Sequence, residues 1–239
     1  VRSAFIPDEG NLLVSSDLDQ VELRLYAHLS EDPGLIQAFH TADDTGSDFF
    51  LELARELYND PSMVKSDPRR NVVKMNRYAS IYGAGIEKQA DGAGVSEKEM
   101  QEFVNSFDKK YPGGTRFMRS TIKGTENRER TEGEGYIITP TTGRRLPLEQ
   151  GKAYKSVNYL IQSMAADIMK KNVIRIDAAG LGPCARMVVH DEILMDLSPE
   201  DIREAQQTIT ECMTTVDGWA VPLTADCSDG LSSWGAKYV

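Results

Sequence analysis

The stretch from Arg186 to Leu197, Arg-Met-Val-Val-His-Asp-Glu-Ile-Leu-Met-Asp-Leu, constrains the fold of this chain more than any other. Two apolar runs, Met187 to Val189 and Ile193 to Met195, have the length and residue types of buried strands, and three polar residues separate them. The pattern predicts a hairpin with charge at its bend. Neighbouring carboxylates, Asp191 and Glu192, repel one another between strands that need burial, so a compensating cation is expected there. The competing reading is an ordinary solvated turn, where Asp is common.

At 239 residues the chain can form one large domain or two small ones. Its three cysteines, Cys184, Cys212 and Cys227, contain no Cys-x-x-Cys pair and leave an odd count. Neither a disulfide framework nor a zinc site is indicated, and a reducing compartment is expected. No apolar run approaches the roughly 20 residues needed to span a bilayer. The start, Val1 to Pro7, does not read as a signal peptide. A cytoplasmic protein with no membrane partner is therefore expected. The net charge of −10 argues against a polyanionic partner. Charge is local, however: Arg69, Arg70, Lys74 and Arg77 cluster, as do Arg144, Arg145, Lys152 and Lys155, and then Lys170 and Lys171. A globally acidic protein can still present a basic groove.

Leu12 to Val14 predicts a strand ending at Ser15-Ser16-Asp17. From Gln20 a helix follows with Val21, Leu25 and Leu29 on one face, closed by Asp32-Pro33-Gly34. Asp17 then stands at a strand-to-helix junction, where the plain reading is a helix N-cap. Helical periodicity runs over 48–58 and 69–82, with Gly83 and Gly85 as stops. Ser96 to Glu99 is a capping-box pattern opening a helix towards Lys110. Tyr111 to Gly114 breaks that helix, 115–123 looks helical, and Gly124 to Gly135 reads as a loop. A small hairpin is expected around Pro140 to Gly143. A long helix from Lys152 to Asp177 should bury Val157, Ile161, Met164, Ile168 and Val173. A last helix, Pro199 to Val216, should bury Ile202, Ala205, Ile209 and Met213, and Val221 to Ala225 is a final strand. The order of elements predicts an α+β fold: an antiparallel sheet with flanking helices and an inserted helical subdomain.

On the helix over 69–82, Arg70, Lys74, Tyr78 and Tyr82 recur every four residues. Each step advances about 40° beyond a full turn, so the four make one slowly winding stripe. Cations followed by aromatics suit a nucleoside triphosphate, with the cations on phosphate oxygens and a ring for sugar or base. A solvated basic face with core tyrosines is the alternative.

Five ordered motifs together resemble the family A DNA polymerases. Asp17-Leu18-Asp19-Gln20-Val21-Glu22-Leu23-Arg24 is similar to the first signature of that family, and Arg70-x3-Lys74-x3-Tyr78-x3-Tyr82-Gly83 to the second, on its fingers helix. Val189-His190-Asp191-Glu192-Ile193 resembles the third. Thr142 to Pro147 and Asn158-x3-Gln162 match between them. The resemblance implies a palm over 1–30 and 151–239 and fingers over 31–150. It implies that Asp17, Asp191 and the Leu18 carbonyl hold two Mg²⁺ ions, or Mn²⁺, with Glu192 as a supporting acid. Glu22 would exclude a ribose 2′-hydroxyl. Arg70, Lys74 and Tyr78 would contact the dNTP, with Lys74 also a proton donor to pyrophosphate. Tyr82, Gly83, Asn158, Gln162 and His190 would contact template and primer. The implied activity is template-directed DNA synthesis on primer-template DNA.

Leu18 and Asp19 replace the usual aromatic and Ser, Phe50 stands where many members carry His, and Tyr154 where an Arg would bind template-primer. Tyr78 replaces the commoner Phe, a change linked in the family to ready use of dideoxynucleotides. The chain lacks an initiator Met and the motifs start early, so a separate or fused thumb and N-terminal part is expected. A catalytically incomplete nucleic-acid-binding subunit is the rival, discriminated by metal-dependent primer extension. An RNA polymerase or reverse transcriptase is disfavoured by Glu22 and the stripe, and a P-loop protein by the lack of a Gly-rich phosphate loop.

Overall fold

The computed structural model describes residues 1–216 and 218–238. The architecture is α+β, and backbone proximity divides it into two compact units. One comprises Val1–Val21 and Ala165–Val239, the other Glu22–Met164. The chain thus leaves the first unit at the start of a helix, α1 (Val21–Ser30), and returns within a long one, α8 (Ser156–Ala178). Both crossings fall within helices, at the start of α1 and inside α8.

The first unit is built on a four-stranded antiparallel sheet in the order β4-β5-β1-β6, formed by β1 (Leu12–Leu18), β4 (Ala185–Val189), β5 (Glu192–Leu197) and β6 (Ala225–Cys227). β1 runs through the expected end at Ser15-Ser16-Asp17 to Leu18, paired on both edges. Its central place explains the extension, since Ser15 and Ser16 are wholly buried yet satisfied by ladder and hydroxyl hydrogen bonds. Alternation puts Leu13, Ser15 and Asp17 on one face. Leu13 there joins Leu194 and Trp234 in a small apolar cluster. α9 (Ile202–Thr214) packs against β1 and β6, burying Ala205, Ile209 and Met213, while Ile202 at its first residue is only half-buried.

The bend at His190-Asp191 is present, but the two strands differ. β5 is buried along its whole length, whereas β4 is an edge strand with Val188 exposed. The final strand begins at Ala225, later than expected, because Pro222 lacks the amide proton a ladder needs. On α8, Ile168, Asn172 and Ile176 share the buried face and Val173 is exposed. Five residues beyond Ile168, Val173 lies about 140° round the helix.

The second unit is helical: α2 (Pro33–Thr45), α3 (Phe49–Tyr58), α4 (Pro68–Ile81), α5 (Ile86–Ala93), α6 (Glu97–Lys110) and α7 (Pro112–Glu132), with a hairpin of β2 (Tyr136–Ile138) and β3 (Arg145–Pro147). The capping box forms as expected, Ser96 and Glu99 bonding each other's backbone N–H. Three expectations are corrected. Asp32-Pro33-Gly34 does not only close α1: Asp32 N-caps α2, with Pro33 in its first turn. Gly85 stops nothing further on, since it N-caps α5. The loop expected over 124–135 is helix as far as Glu132, and Pro112 opens α7 rather than ending order. Gly113 and Gly114 lie in that helix because they let it approach closely: a Cβ at Gly113 would sit 2.8 Å from the Asp32 side chain, and one at Gly114 would strike the Tyr26 hydroxyl.

Candidate active site

In the first unit the antiparallel register sets Asp17 directly opposite Glu192. The Leu18 N–H donates to the Asp191 carbonyl at 3.1 Å, fixing the bend beside the end of β1. His190 takes a left-handed conformation (φ 58°) there and is exposed. Asp17 and Asp191, 174 positions apart in sequence, thereby meet at one end of the sheet. Glu192 is buried and multiply bonded: it accepts from Ser15 Oγ, from Trp234 Nε1 at 2.8 Å and from Lys237 Nζ at 3.3 Å, with the Tyr238 hydroxyl at 3.4 Å. Lys237 Nζ also lies 3.6 Å from Asp17 Oδ2.

These contacts split the behaviour of the acids. Burial pushes the Glu192 carboxyl up, but the donors Ser15 and Trp234 and the Lys237 ammonium outweigh it, and the net shift is downward. Asp17 goes the other way. Burial raises its pKa, Asp191 adds to the rise, and Lys237 only partly opposes it. Asp17 Oδ1 is buried with no hydrogen-bond partner. An unpaired carboxylate oxygen beside further acids is a position that favours a cation. Among the described residues no group of three or more His, Cys, Asp or Glu side chains is set to enclose a metal. Carboxylate oxygens are donors of the kind that hard divalent cations take.

In the second unit, α4 carries Arg70, Lys74 and Tyr78 on its stripe, and Tyr82 is its C-cap in helical conformation. Arg70 donates through Nε and Nη2 to both carboxylate oxygens of Asp48, each at 2.7 Å. Asp48 also N-caps α3 by accepting from the Leu51 N–H at 3.0 Å. The Tyr78 ring lies 5.8 Å from that of Phe50, over which the Arg70 guanidinium also sits at 5.8 Å. Lys74 is half-buried and makes no ion pair among the described residues.

Glu22, Tyr82 and Gln162 come together from α1, the end of α4 and α8. The Tyr82 hydroxyl donates to Glu22 at 3.1 Å, and Gln162 Nε2 donates to both Glu22 and the Tyr82 oxygen. Gly83 adopts φ +73°, and a Cβ there would lie 3.0 Å from both the ring and the carbonyl oxygen of Tyr154. Glycine is required on both counts. Asn158, one turn before Gln162 on α8, has a buried amide nitrogen without a partner.

The model of the DNA polymerase family A matches residues 1–236. The chain belongs to the family A DNA polymerases. Among relatives of this family it is similar to the DNA polymerase of Mycobacterium phage D29, 36% identical over 238 residues covering 100% of this chain and 37% of the phage protein. It is 30% identical to DNA polymerase I of Streptococcus pneumoniae over 99% of this chain and 28% of that protein. A solved structure described as the POL domain of Pol1 from M. smegmatis in complex with DNA primer-template and dNTP superposes with a TM-score of 0.81 at 30% identity, covering 99% of this chain and 42% of that one. The chain spans well under half the length of these family A proteins.

The motifs do not include four residues that hold these side chains, three in the first unit and one in the second. Lys237 is the positive group expected at the hairpin bend, but it comes from a 3-10 turn (Trp234–Tyr238) with no sequence mark of its own. Trp234 and Ser15 complete the shell on Glu192. Asp48 was visible only as a residue near Phe50, and its N-cap position ahead of Phe49 was the available signal.

Proposed function

We propose that this chain is the catalytic part of a template-directed DNA polymerase. The reaction forms a bond from a primer 3′-oxygen to the α-phosphorus of a dNTP, breaks the α–β phosphoanhydride, releases pyrophosphate and frees the 3′-hydroxyl proton. Palm is then the name for 1–30 and 151–239, and fingers for 31–150. The observation that carries the reading is the convergence of Asp17 and Asp191 at one sheet end, with an unpartnered oxygen on Asp17. Two divalent cations, Mg²⁺ or Mn²⁺, held by Asp17, Asp191 and the Leu18 carbonyl would supply Lewis-acid charge at the reacting phosphate.

The protein's own side chains do the rest. Arg70 offers a guanidinium fork already oriented by Asp48, with Nη1 left to meet a phosphate, and Lys74 a point charge one turn on that can also protonate pyrophosphate. Tyr78 gives a ring for the incoming nucleotide. Glu22, fixed by Tyr82 and Gln162, supports exclusion of a ribose 2′-hydroxyl. Gly83 with Tyr82 supports template contact, and Asn158, Gln162 and His190 contact with the primer duplex. A phage and a bacterial relative, together with the lack of any helix long and apolar enough to cross a membrane among the described residues, support action in the cytoplasm of a bacterial or phage-infected cell. Further polymerase segments, including a thumb, are the expected partners.

Primer extension with Mg²⁺ and dNTPs tests this. Asp17→Asn and Asp191→Asn should each reduce the rate by more than the roughly 10–100-fold typical of outer-shell losses at metal sites, with DNA binding retained. Undiminished extension by Asp17→Asn would sink the reading. Binding without extension in the unaltered protein would favour a catalytically incomplete subunit.

A further inference from the structure

We propose that Lys237 is a resident cation of the carboxylate cluster, a positioning residue that holds Glu192 in place and competes with a divalent ion for Asp17. The inference rests on the reading of Asp17 as a metal ligand. It concerns what this chain puts there itself.

Lys237 Nζ has three oxygens around it: Ser15 Oγ at 2.8 Å, Glu192 Oε1 at 3.3 Å and Asp17 Oδ2 at 3.6 Å. The first two are hydrogen bonds, and the third is an ion-pair contact just beyond one. The two oxygens of Asp17 are therefore divided. Oδ2 faces the ammonium, and Oδ1 has no partner. A divalent ion held by Asp17 would draw on a carboxylate already shared with a positive charge, so the two cations would each weaken the hold of the other.

The ammonium is not on a loose tail. Its turn is seated on the N-terminal segment: Trp234 N–H donates to the Phe5 carbonyl at 2.9 Å, and the two rings meet edge to face at 5.6 Å. Arg2 lies over the rings of Trp234 and Tyr238 at 4.7 and 4.1 Å. Gly235 admits no side chain, since a Cβ would lie 2.8 Å from the Ser3 nitrogen. Trp234 and Tyr238 flank Lys237 and reach the same carboxylate, Glu192. Removing the charge of Lys237 leaves this frame and takes away the competing cation together with its hydrogen bonds to Ser15 and Glu192.

The test is Mn²⁺ affinity of the full-length protein without DNA or nucleotide, measured by loss of the free-ion paramagnetic resonance signal. Lys237→Met and Lys237→Gln are both used, so that misfolding of one does not end the test, and circular dichroism confirms the fold of each. Tightening on the order of tenfold in the neutral variants, with Lys237→Arg restoring the original affinity, is the expected result. In the absence of metal the neutral variants should melt lower than the parent, and Mn²⁺ should raise their melting point by more than it raises the parent's. Unchanged or weaker Mn²⁺ binding in the neutral variants overturns the role of Lys237. Asp17→Asn separates the two ideas: if it binds Mn²⁺ as the parent does, the metal reading of Asp17 fails and this inference with it.

Discussion

Asp48 caps one helix and clamps an arginine of another, and its chemistry can be separated by a single substitution. Burial alone would raise its pKa, but the Arg70 fork and the Leu51 N–H outweigh burial and hold it below the ordinary 3.8. A carboxyl depressed in the folded state contributes stability that is full above its unfolded pKa and is lost as pH falls through the folded one. Asparagine keeps the cap and removes the charge. Asp48→Asn should therefore cost about 1 kcal/mol at pH 7, at the low end because part of the pair faces solvent, and progressively less as pH falls below 3.8, as read by denaturant unfolding across that range. Also at this scale, Tyr78→Phe should lower the use of dideoxynucleotides relative to deoxynucleotides in primer extension, the family's commoner residue bringing its commoner behaviour. Asp17, Asp191 and the stripe from Arg70 to Tyr82 were legible because each is a short motif of fixed spacing. Lys237 was not, because nothing near it in sequence distinguishes it from other exposed-looking lysines.

Helix ends show why elements were harder to read than residues. Asp32 Oδ1 accepts from Gly34 and Leu35 N–H at 3.0 and 3.2 Å, and Oδ2 accepts from Gly113 N–H at 2.7 Å. One carboxylate thus serves the starts of both α2 and α7, with Gly113 lying 81 positions beyond Asp32. Asp32→Ala should cost about 2 kcal/mol or more, the sum of two caps plus a buried donor left unpaired, and chemical denaturation would show it as a lower midpoint. Asp-Pro-Gly and Tyr-Pro-Gly-Gly look like breaks because the same residues end one helix and begin the next. Which of the two they do depends on a partner far away in the chain. The edge position of β4 has the same origin: its apolar run looks as buried as that of β5, and only sheet order leaves Val188 exposed.

At the scale of the whole chain a net charge of −10 bears directly on the proposal that the substrate is a polyanion. On the proposed function, local basic groups such as Lys152 and Lys155 ahead of α8 would carry the duplex affinity against a repelling background. The logarithm of the primer-template association constant should fall linearly with that of salt concentration, and Lys152→Ala or Lys155→Ala should each flatten the slope by about 1 if that lysine neutralises one phosphate. Fluorescence anisotropy across a salt series measures it, and an unchanged slope would remove that lysine from the interface. The sequence by itself determined the α+β class, the charged hairpin, the helix bearing the stripe and the family, because local periodicity and motif spacing are properties of short stretches. Only the tertiary structure decided which strands lie inside the sheet, how Asp48 holds Arg70 and which cation answers the carboxylates, because those depend on contacts whose partners lie tens to hundreds of residues away.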